Sequence, residues 1–486
     1  MTALKPAARF PYTLRTRMAT AKVRLLALSL FVGLVALTGG GSRADITSLI
    51  VLRPMAVLFG AYALLVMPPN RLRSVRFPLI LLLSAVLVVG WQLIPLPSSL
   101  WHELPGRALI GHTDALLGWS DLWRPAAMSP AGAWNVLFSL FVPIAALLLF
   151  AAVDPSDRKV LLLIWLAVAF ASSILGLMQL LGPPDGPLYS YAVTNGGVSV
   201  GLFSNANHQS AFLATSIPVA TLWGYRRPER RKSRWLAALA AALLFALVAI
   251  LTGSRSGIVL TALALILAAL TLGGQFTKKA YSAASTAGTS GNLAVTAKRR
   301  LGLIASGLIV LLLVVAGSLM ASLQNVGGLE AGGYDWTAEL RFEALPTILQ
   351  LIGTYWPIGS GAGSFAAVYK IAEPTSLLSN TYLNQAHNDW IQIVLEHGLL
   401  GLVLLAAFVI MVLRAGLHTL RQHRGVLLNR ITILAPPAMF AVASVLDYPL
   451  RTPILQVLLI CWVVVMQQQD STSSSRRPLG KDGLRQ

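Results

Sequence analysis

VLLLIWLAVAFASSILGLMQLL, residues 160–181, runs without a single charged residue. A bilayer core of about 30 Å is crossed by a helix of about 20 apolar residues, and this stretch is long enough. Its apolar residues are continuous rather than alternating, so it is not the strand of a membrane barrel. DPSDRK (154–159) precedes it and GPPDG (182–186) follows it. Basic residues on one flank and none on the other give the span a direction, because Lys and Arg collect in cytoplasmic loops.

The pattern repeats along the chain. Of 486 residues, 56% are hydrophobic and 12% charged, and the mean hydropathy is +0.69. A soluble domain carries roughly 25% charged residues. Apolar spans are predicted near 25–41, 47–67, 77–96, 132–152, 160–181, 206–224, 235–252, 257–272, 301–320, 390–412, 430–446 and 454–466. The fold class is therefore an all-α polytopic membrane protein of about 12 transmembrane helices.

With the amino terminus inside, the basic residues sort by side. Only Arg43, Arg53, Arg107, Arg124, Arg255, Arg341, Lys370 and Arg451 of the 38 Lys and Arg fall outside. The acidic residues run the other way, with only Asp154, Asp157, Glu229, Asp470 and Asp482 inside. The net charge of +20 is thus a topology signal and an anchor for anionic membrane lipids, not a nucleic-acid footprint. Both termini are expected in the cytoplasm, in a bacterial inner membrane. The first 44 residues have the basic start and apolar stretch of a secretory signal. They are read as an uncleaved first helix, which makes the span count even.

The expected organisation is a basic cytoplasmic leader (1–24), helices 1–9 (25–320), a large outer loop (321–386), helices 10–12 (387–466) and a disordered cytoplasmic tail (467–486). An earlier outer loop, 97–131, carries Trp101, Trp119 and Trp123 and reads as lying in the membrane interface, where indole rings concentrate. TAELRFEALPTILQLI (337–352) has the spacing of an amphipathic helix, and PIGSGAGSF (357–365) reads as a glycine turn. The Ser-, Thr- and Ala-rich segment 275–300 reads as a flexible linker. The single Cys461 lies inside the last apolar span, so no disulfide framework exists.

Four polar clusters lie at the outer face. LTGSRSG (251–257) places Ser254 and Arg255 at a helix start, where free N–H groups and an arginine suit a diphosphate; a snorkelling interfacial arginine is the structural alternative. Arg341 lies between Glu339 and Glu343, a setting that equally suits a solvated helix face. AHNDW (386–390) brings His387, the side chain most often used as a base near neutral pH, next to Asn388 and Asp389, which equally suit a helix cap. Glu396 and His397 follow on the same apolar run, and Gly398 marks a break in it. GLFSNANHQSAFL (201–213) collects Asn205, Asn207 and His208, which either cap a helix or line a cleft. The outer carboxylates lack a metal-ligand spacing, so no metal or other cofactor is expected.

In this order, these motifs resemble the O-antigen ligase and polymerase superfamily. The resemblance rests on GLFSNANHQSAFLA (201–214), TGSRSG (252–257), an arginine in the large loop, PIGSGAGSF and AHNDWIQIVLEHGLLG (386–401), and covers roughly residues 160–450. It implies a C-type glycosyltransferase-like membrane fold with one large periplasmic loop. It also implies glycan transfer from an undecaprenyl-diphosphate carrier at the periplasmic face. The acceptor would be the lipid A core for a ligase, or a carrier-linked glycan for a polymerase. Arg255, Arg341 and His387 match the family's two essential arginines and its histidine, Arg341 in the loosest motif. Asn205, Asn207, His208, Ser254 and Asn388 are carried as substrate-binding candidates. The resemblance implies metal-independent chemistry in lipopolysaccharide or exopolysaccharide assembly, and a single displacement at the anomeric carbon would invert its configuration. A transporter or lipid-glycan flippase is the rival from another class, and would place its binding groups near the bilayer midplane. An assembly subunit is the third reading.

Overall fold

The computed structural model describes residues 20–68, 70–225, 231–287, 336–378, 382–422 and 427–468. The longer helices are α1 (Ala21–Thr38), α2 (Leu49–Val66), α4 (Arg76–Gln92), α7 (Pro130–Ser139), α8 (Phe141–Ala152), α9 (Lys159–Leu181), α10 (Ala206–Tyr225), α11 (Arg231–Leu251), α12 (Arg255–Ala287), α13 (Trp336–Tyr355), α15 (Asp389–Gln422), α16 (Leu427–Leu446) and α17 (Pro453–Gln468). Short helices α3 (Arg71–Ser74), α5 (Ser98–Trp101), α6 (Ala108–Leu117) and α14 (Phe365–Ala372) lie between them. Strands β1 (Pro95–Leu96) and β2 (Arg124–Pro125) pair antiparallel.

Helices occupy every predicted span except 301–320, which lies outside the described residues, as does 321–335 of the large loop. Among the described residues, 6 helices suffice by length and composition to cross a membrane, and four shorter apolar helices accompany them. The α7–α8 pair forms one of the six, running through Leu140 in helical conformation.

Helix α10 is the centre of the bundle. It packs on α9, α11, α12 and α16, and His208, Gln209, Ser210, Thr215, Ser216 and Thr221 on it are all buried. A helix enclosed by protein tolerates such residues where their hydrogen bonds are met. Gln209 Oε1 accepts from Ser172 at 2.7 Å, and Ser216 Oγ accepts from the Trp165 indole at 2.8 Å.

The two ends of the bundle gather the segments that the charge pattern assigned to opposite sides. At one end, Asp154 bridges Arg24 (2.9 Å) and Arg71 (2.7 Å), tying together three segments predicted inside. At the other end lies a cap built by α13, α14 and residues 357–364, on a core of Ala344, Ile348, Leu351, Tyr355, Phe365, Val368 and Tyr369. Buried Arg107 staples the 97–131 loop to this cap. Its guanidinium donates to the Ala126 and Gly359 carbonyls and stacks over Tyr355. Burial pulls that guanidinium down to about 10.

Two expectations are corrected. Residues 275–287 are not linker but the continuation of α12 to Ala287; the run has no Pro, and its Ala and Lys residues favour helix. Trp101 is not an interfacial anchor. It is buried, with its indole donating to the Pro125 carbonyl at 2.8 Å, because the chain returns through β2 and covers it. Trp119 and Trp123 are exposed. The predicted break at Gly398 is present: α15 turns there through φ 56° and ψ −136°.

Candidate functional site

Helix α15 begins at a cap, where Asn388 Oδ1 accepts the Ile391 N–H at 3.1 Å. The preceding residue, His387, has φ 50°, the one positive φ at a non-glycine among the described residues. A side chain in this region costs of order 1–3 kcal/mol and persists where its surroundings hold it. The surroundings here are the segment after α16. Asp447 Oδ1 lies 3.0 Å from His387 Nδ1, and the Tyr448 ring meets the imidazole edge-on at 4.7 Å.

The Asp447 carboxylate is shared. Oδ1 also accepts the Tyr448 N–H at 3.0 Å, and Oδ2 accepts from Asn207 Nδ2 at 2.8 Å. Burial raises its carboxyl, but the His387 hydrogen bond and nearby positive charge outweigh that and hold it well below the usual carboxylate range. A carboxylate facing Nδ1 favours the N–H on that nitrogen, the arrangement in which Nε2 faces a substrate as the second ring nitrogen.

Tyr448 is the wedge between two histidines. Its ring lies edge-on to His208 at 5.2 Å, and its hydroxyl faces Asn384 and Asn205. Burial and the Asp447 charge push that hydroxyl up to about 12. His208 is fully buried, with Nδ1 2.9 Å from Thr452 Oγ1. Asn205 Oδ1 accepts the Asn207 N–H at 2.8 Å and so shapes the start of α10.

Arg341, half-buried on α13, acts electrostatically on Asp447, His208 and Tyr448, so the cap brings it to the same cluster. Arg255 stands at the first residue of α12 and is exposed. The start of that helix is clamped onto α10: a Cβ on Gly257 would fall 1.7 Å from Ser210 Oγ, so only glycine fits. Ser210 lies one turn beyond Asn207 on α10. Ser254 Oγ caps α12 by accepting the Gly257 N–H at 3.1 Å. Among the described residues, no hydrogen bond or ion pair joins Arg255 to His387, Asp447 or Arg341.

His387, Arg341, Asn205, Asn207 and His208 thus form one polar cluster, and Arg255 starts the helix that packs on α10 near Ser210. The side-chain oxygens of Ser254 and Asn388 are taken up by helix caps. The residues missed in the sequence are Asp447, Tyr448 and Asn384. DYPLRTP (447–453) carried a signal: two charges, a tyrosine and two prolines interrupt apolar sequence at an outer turn. Among the described residues, no three His, Cys, Asp or Glu side chains group to hold a metal ion.

An all-helical, multi-pass membrane protein with a buried His–Asp pair and arginines at one end is the class that these observations define. A family model described as O-Antigen ligase matches residues 239–406, and the match supports membership of the O-antigen ligase superfamily. The matched span contains Arg255, Arg341 and His387, whereas Asn205, Asn207, His208 and Asp447 lie outside it. No curated protein matches the chain.

Proposed function

We propose that this protein transfers a glycan from an undecaprenyl-diphosphate carrier to a sugar hydroxyl at the periplasmic face of the inner membrane. The observation that carries the reading is the His387–Asp447 pair at 3.0 Å, with Arg341 acting on the same carboxylate. His387 Nε2 takes the proton of the acceptor hydroxyl as its oxygen bonds to the anomeric carbon. The bond from that carbon to the diphosphate oxygen breaks, and the carrier diphosphate leaves. One displacement inverts the anomeric centre. Asp447 stabilises the imidazolium that forms. Negative charge grows on the leaving diphosphate, and Arg255 and Arg341 supply fixed positive charge to meet it. The loss of one such donor typically costs about 10²–10³ in rate. With two guanidiniums in this role, the reading requires no metal ion.

A ligase and a polymerase share this chemistry and differ in the acceptor, a lipid A core or a carrier-linked glycan. We read a ligase of lipopolysaccharide or exopolysaccharide assembly, with the polymerase as the alternative. Purified protein, given carrier-linked glycan and each acceptor in turn, decides between them. Transfer to lipid A core and none to a second carrier-linked glycan supports the ligase. Transport of the donor without any new glycosidic bond removes the enzyme reading.

A further inference from the structure

Arg451 ends the Pro449–Arg451 turn, four residues after Asp447. Its guanidinium lies between two buried carboxylates of α15. Nε is 3.6 Å from Asp389 Oδ1, and Nη2 is 3.3 Å from Glu396 Oε2. Asp389 and Glu396 are two turns apart, so both project from one face of the helix.

Each carboxylate has a second tie. Asp389 Oδ2 accepts the Leu450 N–H at 3.3 Å. Glu396 Oε1 accepts from Gln392 Nε2 at 2.8 Å and from the Phe365 N–H, at the start of α14, at 3.4 Å. Gln392 Oε1 in turn accepts the Ala386 N–H at 2.9 Å. The guanidinium therefore sits where three segments meet: residues 386–389, the glycine loop entering α14, and residues 447–452. His397 and Asp447 are the other titratable groups acting on this cluster. Two buried carboxylates share one cation, and without it each is left desolvated and repelled by the other.

We propose that Arg451 is a positioning residue that sets the approach of His387 to Asp447. It pins the first turn of α15 to the segment that carries Asp447, and through Glu396 it ties that turn to the cap carrying Arg341. Its nitrogens face Asp389 and Glu396, so it acts on the reaction through His387 rather than by touching the reacting atoms. His387 needs such a pin because its left-handed backbone is not the conformation that the chain adopts unaided.

The test uses the full chain in lipid nanodiscs and rests on the transferase reading in one arm only. Diethylpyrocarbonate acylates accessible imidazole, and peptide mass spectrometry reads its rate at each histidine, with exposed His112 as the reference. Arg451→Gln is expected to raise the rate at His387 several-fold and leave His112 unchanged, while Arg451→Lys restores most of the protection. In glycan transfer, Arg451→Gln should lower kcat roughly ten- to a hundredfold, the scale of a small misplacement, with donor KM within about twofold. Asp389→Asn removes the other partner and should reproduce both effects. The double variant should fall no further than the worse single one. Unchanged His387 reactivity in both single variants, or additive losses in the double, overturns the pin. A wild-type chain that transfers no glycan removes the transferase reading, and the acylation rates still decide the role of Arg451.

Discussion

His387 and Asp447 stand 60 residues apart in sequence and 3.0 Å apart in the fold. The carboxylate holds Nδ1 and so leaves Nε2 as the ring nitrogen free to meet an acceptor hydroxyl. Asp447→Asn keeps the shape but loses the charge that stabilises an imidazolium. Glycan transfer should fall by about 10²–10⁴, the span of a general-base contribution, with KM for the acceptor within a few-fold. His387→Ala should reach the same floor, and the double variant should go no lower, because groups acting as one unit are not additive. Initial-rate kinetics of the three variants check this.

The same pair makes a prediction about stability and pH. In the folded protein, the hydrogen bond from His387 holds the Asp447 carboxyl below its usual value. A carboxylate with a depressed folded value contributes stability that is complete above its unfolded value, about 3.9, and is lost as pH falls through the folded one. Wild type should therefore melt above Asp447→Asn at pH 6, and the gap should close progressively below about pH 4. Thermal melts of both proteins over that range measure it. A gap that widens with acid reverses the sign and removes the argument.

Arg255 offers a separation of activity from stability. It is exposed and has no ion pair among the described residues. Exposed side chains away from special features change stability by about ±0.5 kcal/mol or less. Arg255→Ala should leave the melting temperature within about a degree or two while glycan transfer drops by about 10²–10³, the cost of one lost charge donor. Arg255→Lys should recover part of the rate, since an ammonium keeps the charge but not the bidentate fork. A variant with full activity removes Arg255 from the chemistry.

The helix positions were legible because crossing a membrane is a one-dimensional demand on length and polarity, as residues 160–181 show. Gly398 was legible for a similar reason: a glycine inside an apolar run beside Glu396 and His397 signals a break. Asp447 was not. Alone it is one of several outer acids, and its meaning comes from Asn207 and His387, which reach it from distant helices. Trp101 failed likewise, because β2 covers it from a segment more than twenty residues away. Residues 275–287 failed locally, since small residues serve a linker and a helix alike. The helix cap at Asn388 was foreseen as an alternative to a binding role, and its side chain does cap; the cap that Ser254 makes was not foreseen.

The break in α15 depends on two glycines packed against each other. At Gly398 (φ 56°) a Cβ would lie 2.0 Å from the Pro357 carbonyl, and at Gly359 (φ 88°) 2.7 Å from Glu396 O and Gly398 N. Both obstacles are backbone, which cannot rotate away. Gly398→Ala and Gly359→Ala should each cost more than about 2 kcal/mol, combining strained backbone with a steric clash. Gly353 is the control. It is helical, with nothing within 4 Å of an added Cβ, so Gly353→Ala should stabilise by about 0.5–1 kcal/mol. Denaturation midpoints rank the three. If Gly398→Ala behaves like Gly353→Ala, the kink is not required by this contact.

The transfer reaction needs the His387 end of the bundle outside the cell, and the chain supplies its own means of testing that. Cys461 is the only cysteine and is buried in α17, so a single introduced thiol reports without background. Ser376 lies exposed in the cap, on the turn after α14. Ser156 lies exposed at the opposite end, two residues from Asp154, which binds Arg24 and Arg71. A membrane-impermeant maleimide applied to intact spheroplasts should label Ser376→Cys and spare Ser156→Cys until the membrane is opened. The Arg24–Asp154–Arg71 bridge joins three segments rich in Lys and Arg, and such segments are retained in the cytoplasm, so the two labels must divide in this way if the charge pattern governs insertion. Should Ser156→Cys label first, Arg255, Arg341 and His387 face the cytoplasm. A donor and acceptor presented at the periplasmic face could then not reach them, and the orientation and the proposed reaction would fall together.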